Sequence, residues 1–128
     1  MAVGLPYNTG DVLSATDMNS LVAYTLNAQT ATYTAVGTDQ YQVLVTMTNA
    51  SATSFQLPTD ATYNFPVGTT LNVLNLGAGT VTIKAVTSGT TTVVSAGATA
   101  AQPTLAQYKA AAAIKTAANN WVVVGAVA

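Results

Sequence analysis

The side chains that could carry chemistry in this sequence are few and widely spaced. Asp11, Asp17, Asp39 and Asp60 are its only acids, Lys84, Lys109 and Lys115 its only bases, and histidine, cysteine, glutamate and arginine are all missing. Converging carboxylates could do acid–base work or hold a metal, but no aspartate stands within four residues of another. The commonest general base and neutral metal ligand, histidine, is not available. Nor is a thiolate nucleophile, a thiolate metal site or a disulfide. No serine lies in a Gly-x-Ser-x-Gly elbow, and no lysine follows a glycine-rich phosphate loop. The aspartates therefore read as capping and turn residues. A hard cation held by backbone carbonyls with Asp39 or Asp60 is the one metal chemistry this donor set admits. The sequence predicts no enzyme, no catalytic residue and no cofactor.

Recognition is the other chemistry to consider. Tyr63, Phe65 and Trp121 could form a surface platform for stacking against a sugar, although such aromatics more often anchor a core or an interface. Asn49-Ala50-Ser51 matches a glycosylation triplet, which a chain this rich in Asn, Ser and Thr produces by chance.

Charged residues make up 5% of the 128-residue chain, against roughly 25% in an ordinary soluble domain. Clustered lysine or arginine is what phosphate neutralisation needs, so nucleic acid is not an expected partner. No apolar run approaches the ~18 residues that span a bilayer, and the N-terminus lacks a basic, apolar secretory pattern, so no membrane is expected either. A net charge of −1 leaves copies little mutual repulsion, which suits a protein that works in an assembly.

The elements that must position these residues fall into two periods. Residues 1–13 read as an extended arm broken by Pro6, Asn8 and Gly10. Ser14 and Asp17 then offer a helix start, and Leu13, Met18, Leu21, Val22 and Leu26 follow at helical spacing, predicting a helix from about Ala15 to Asn27. From Thr32 onward the period is two. Tyr41, Val43, Val45 and Met47 alternate with Gln42, Leu44, Thr46 and Thr48, which predicts a strand. A short strand at 54–57 stops at Pro58. Gly77-Ala78-Gly79 reads as a hairpin joining strands at 71–76 and 80–84, and a further strand surrounds Thr91–Val94. The run Tyr108–Lys115 has the alanines of a helix, yet it alternates and leads through Asn119-Asn120 into Trp121–Val124, so a C-terminal hairpin is expected. Val and Thr are β-branched and suit a pleated surface. Together these predict an all-β fold: a small sandwich or barrel of about seven to eight short antiparallel strands over 32–128, preceded by an arm and one short helix over 1–31.

Two stretches resemble a known family. Gly10-Asp11-Val12-Leu13-Ser14-Ala15-Thr16-Asp17-Met18-Asn19 resembles the leader near the start of many tailed-bacteriophage virion proteins. Thr48–Thr53, Phe65–Thr69, Leu76–Ile83 and Ile114–Ala117, followed by Trp121–Gly125, are similar, in that order, to phage surface β-modules. The resemblance covers residues 10–20 and about 45–125, and departs from the family at the bland alanine run 110–113. It implies a virion structural protein and does not settle head against tail. A leader followed by one module, with no long shaft to project a tip, favours a capsid decoration (cement) protein or short head fibre on the outer surface of the particle, in contact with the major capsid protein or neighbouring virion proteins. The low-charge surface favours a homotrimer, the form in which phage decoration modules often sit at three-fold positions. The alternative it leaves is a tail-fibre or receptor- or glycan-binding module, for which Tyr63, Phe65 and Trp121 would be the surface aromatics. The leader would be the anchor, through Leu5, Pro6, Tyr7, Leu13, Met18, Leu21 and Leu26.

Overall fold

A computed structural model describes residues 23–95 and 102–128. Ten strands, β1 (Thr25–Gln29), β2 (Tyr33–Thr34), β3 (Val43–Met47), β4 (Thr53–Leu57), β5 (Thr70–Asn75), β6 (Val81–Ala85), β7 (Thr92–Ser95), β8 (Thr104–Leu105), β9 (Ala110–Ala117) and β10 (Asn120–Gly125), are joined by loops and one turn of 3-10 helix at Gly37–Gln40. They form a six-stranded sheet in the order β1-β3-β5-β9-β10-β7 and a four-stranded sheet in the order β2-β4-β6-β8. The all-β expectation holds.

The antiparallel expectation does not. Among the described residues five of the eight strand pairings are parallel: β1–β3, β3–β5, β2–β4, β4–β6 and β7–β10. The chain runs along one sheet, turns a corner, runs along the other and returns, three times over. Gln29, Met47 and Asn75 consequently stand in one register, as do Tyr33, Phe55 and Ile83. Strand periodicity is the same for either pairing direction, so it carries no information on which forms. The predicted C-terminal hairpin is present: β9 and β10 pair antiparallel across Asn119, whose φ of 54° is a conformation asparagine tolerates well. This hairpin sits between β5 and β7, where a fourth turn of the stack would otherwise continue.

Gly77-Ala78-Gly79 is not a hairpin. It is the corner where the chain passes from β5 in one sheet to β6 in the other. The glycines are needed because this corner lies on the one before it: a Cβ on Gly77 would come within 2.3 Å of the Asn49 nitrogen, and one on Gly79 within 2.1 Å of the Ser51 carbonyl oxygen. Backbone bonds join the layers, with Gly79 N–H donating to the Asn49 carbonyl at 2.9 Å and Thr53 N–H to the Thr80 carbonyl at 3.1 Å. Asn49 and Asn75 brace the corners. Each accepts from the backbone two residues on through Oδ1, while Asn49 Nδ2 donates to the Thr30 carbonyl and the fully buried Asn75 Nδ2 to those of Gly79 and Leu105.

The expected helix meets a strand where the described residues begin. Thr25, Leu26 and Asn27 belong to β1 and pair with Val43, Leu44 and Val45, so the β-unit reaches back across the expected boundary at 31/32. The rest of the leader lies outside the described residues. Inward positions of both sheets, among them Val45, Val73, Ile83, Leu105 and Val123, share one core.

Substituting Gly79 by Ala should cost about 3 kcal/mol or more, the upper end of overpacking penalties, because backbone cannot move aside as a side chain does. Gly89, with φ +85° and open space around it, should lose only the roughly 1–2 kcal/mol of a left-handed residue. Urea unfolding midpoints of the two variants check the difference.

Candidate functional site

Two polar clusters lie beside the core, and each is built around an ionisable side chain. The first starts on β9, where Ala111, Ala113 and Lys115 point inward and Ala110, Ala112 and Ile114 outward. Lys115 is 1% exposed. Its Nζ donates to Asp60 Oδ1 at 2.7 Å, Asn64 Oδ1 at 2.8 Å and the Phe65 carbonyl at 2.7 Å. That uses all three of an ammonium's protons. Asp60 Oδ2 in turn accepts from Asn119 N–H at 3.0 Å, and Asn119 Oδ1 accepts from Asp60 N–H at 2.9 Å. The loop from Pro58 to Thr69 is thereby tied to the β9–β10 hairpin at both its carboxylate and its backbone.

The second cluster surrounds Asp39, which is buried in the 3-10 turn. Oδ2 accepts from the Tyr33 hydroxyl at 2.7 Å and Val36 N–H at 2.9 Å, and Oδ1 from Asn27 Nδ2 at 3.0 Å. Asn27 also donates to the Tyr33 oxygen at 2.9 Å. One carboxylate thus joins β1, β2 and the turn leading to β3. Burial, then the hydrogen bond to Asp39 and its negative charge, push the Tyr33 phenol up to about 12.

The three aromatics come together as a row, not as a platform. Tyr63 meets Phe65 edge-on at 4.6 Å, and Phe65 meets Trp121 edge-on at 5.6 Å. Phe65 and Trp121 are buried, and only Tyr63 reaches the surface, at 39% exposure. The Trp121 indole Nε1 has no hydrogen-bond partner among the described residues. The surface-aromatic expectation is therefore corrected for Phe65 and Trp121: alternation on β10 places Trp121 and Val123 inward, and the row fills the core beneath the loop. Of the expected anchoring residues, Leu26 projects from β1 at 64% exposure, whereas Leu5, Pro6, Tyr7, Leu13, Met18 and Leu21 lie outside the described residues.

Sequence reasoning missed Lys115, Asn64 and Asn119 as a unit, and Tyr33 with Asp39 likewise. One signal was present. A lysine in phase with inward alanines on a strand must find partners, since an unpaired buried charge is too costly. The ionised side chains of both clusters are hydrogen-bonded within the fold, and no group of three acidic, histidine or cysteine side chains gathers among the described residues. The chemistry available here is cross-bracing. No protein-family model matches the chain, and neither a curated protein nor a solved structure is found to match it.

Lys115→Met should destabilise by about 3 kcal/mol, because it strands the Asp60 carboxylate and the Phe65 carbonyl; partial exposure of Asp60 holds the loss to the low end for a broken buried pair. Denaturant unfolding measures it. The Tyr33 shift gives a second expectation. A phenol whose folded pKa lies above its unfolded value of 10.0 stabilises the fold fully below pH 10, and that contribution is lost as pH rises through about 12. Tyr33→Phe should remove a phenolate absorbance step near pH 12 and flatten the loss of stability in that window.

Proposed function

We propose that this chain is a structural protein of a tailed-bacteriophage particle, a capsid decoration protein or short head fibre bound to the outer face of the shell as a homotrimer. The observation that carries this reading is how the ionisable groups are used. Three of the five charged side chains among the described residues, Asp39, Asp60 and Lys115, are committed to bracing loops against strands. What they leave outside is a nearly neutral surface on a cross-braced scaffold, suited to being packed against and ill suited to turnover. The similarity of residues 10–19 to virion leaders, and of the ordered motifs over about 45–125 to phage surface modules, supplies the rest. The burial of Phe65 and Trp121 weighs against the glycan-binding alternative, since a lone Tyr63 offers little stacking area.

In this reading the major capsid protein is the partner and the leader is the anchor. Leu5, Tyr7, Met18 and Leu21 would each contribute roughly 1.5–3 kcal/mol if fully buried, opposed by about 1–2 kcal/mol per residue ordered. One arm then binds modestly, and several joined in an oligomer gain by avidity.

Cryo-electron microscopy of particles that carry the chain should place its density on the outer shell in groups of three. A chain lacking residues 1–22 should keep its cooperative unfolding and lose occupancy on shells stripped of the protein. Full occupancy by that truncated chain, or density confined to the tail, would refute the proposal.

A further inference from the structure

The two sheets differ in what they show to solvent. Outward positions of the four-stranded sheet carry Ser54, Gln56, Thr82, Lys84 and Thr104, an ordinary wet face. Those of the six-stranded sheet carry Leu44, Leu74, Ala112, Ile114, Val122 and Val124. The pairing registers align them into continuous rows. One runs Leu26, Leu44, Asn72, Ala112, Val124 across five strands, and another Thr70, Ile114, Val122, Val94 across four. Strands such as Trp121-Val122-Val123-Val124 are apolar on both faces, a pattern found where a sheet is covered on both sides. Here the core covers one side, and on the other Leu26 and Val94 stand 64% and 38% exposed.

Shape and charge narrow the occupant. The small Ala110 and Ala112 leave an apolar trough between Leu44 and Val124, with Tyr24 at its edge. No outward position of the six strands bears a charge, the only lysine among them, Lys115, pointing inward. A face without charge meets its own copy with no like-charge repulsion. Area is consistent with that pairing. Six strands ~4.8 Å apart and about five residues long at ~3.3 Å each project roughly 400 Å². Two such faces together give about 800 Å², and a specific interface needs roughly 1,000 Å². Side-chain relief and the contiguous Tyr24, 55% exposed and outside the six strands, add to this area.

The geometry points to the outer face of the six-stranded sheet as the surface through which copies of this chain associate, with Ala112 near its centre. This adds a pairing surface to the assembly proposed above and rests on that reading only for where the assembly is used. A face that meets its own copy joins two chains about a two-fold axis, whereas a trimer would set each face against two neighbours.

Light scattering on the full chain tests it, together with Ala112→Asp and, on the polar sheet, Thr82→Asp. The unaltered chain and Thr82→Asp should give the same discrete multiple of 12.9 kDa. Ala112→Asp should keep its circular dichroism and dissociate at a concentration at least tenfold higher, an order of magnitude that one buried charge readily supplies. Because the chain lacks cysteine, Ala112→Cys and Thr82→Cys provide a second reading that needs no disruption. Alkylation at Ala112→Cys should be at least tenfold slower than at Thr82→Cys when concentrated, and should approach it on dilution. A chain that is monomeric at every concentration overturns the inference, as does an Ala112→Asp protein with unaltered mass. Protection of Ala112→Cys that survives dilution also overturns it, because the cover would then be the chain's own residues 1–22. A discrete dimer dissolved by Ala112→Asp would sustain the face and refute the trimer. Binding of the unaltered chain to shells is read separately, so failure of the virion reading leaves this result intact.

Discussion

Backbone lies directly on backbone where the Gly77–Gly79 corner meets Asn49–Ser51, and the rest of the structure depends on that approach. It sets the vertical spacing of successive turns, so that β1, β3 and β5 can pair in one sheet while β2, β4 and β6 pair in the other. A side chain at either glycine would hold the turns apart at one corner and break register along both sheets. The asparagine side chains of the corners satisfy carbonyls that leave the ladders there, which matters because Asn75 is wholly enclosed and unpaired buried polar groups are costly.

Corners fix one end of the stack, and the polar clusters fix the returning loops. Lys115 holds the long loop between β4 and β5, and Asp39 holds the shorter return between β2 and β3. A buried ion pair is weak evidence of net stabilisation, because desolvation offsets most of the attraction. Its value here is geometric. With three acceptors around one ammonium, the loop that carries Tyr63 and Phe65 has a single place to rest, and Phe65 closes over Trp121 as a consequence. The same use of charge thins the charge of the exterior: of five charged side chains among the described residues, Asp39 and Lys115 are buried and Asp60 is held against Lys115.

That neutrality joins the fold to the proposed role. A six-stranded sheet whose outward rows are mostly Leu, Ile, Val and Ala, with Thr70 and Asn72 among them, on a scaffold whose other sheet is polar, has two chemically distinct sides. Association through the first leaves the second wet, and Tyr24, just before β1, lines the apolar face. Assembly and anchoring can therefore occupy different parts of one small protein.

The residues themselves determined a good deal. Alternation and β-branched content specified strands, and Asn119-Asn120 specified the final turn. These are local properties, read from neighbours in the chain. What the sequence left open was decided by contacts between distant residues. Pairing direction is invisible to a period of two, so the glycine corner has the local pattern of a hairpin, and only its contact with Asn49 and Ser51 makes it a crossing between sheets. Helical spacing through Leu26 yielded to a strand because β3 offers Thr25–Gln29 a ladder, and tertiary pairing outweighs weak helix propensity. Burial of Phe65 and Trp121, and the convergence of Asp60, Asn64 and Asn119 on Lys115, likewise needed the fold. Residues about fifty positions apart share a hydrogen bond only after two sheets have closed over one core, and no local pattern encodes that.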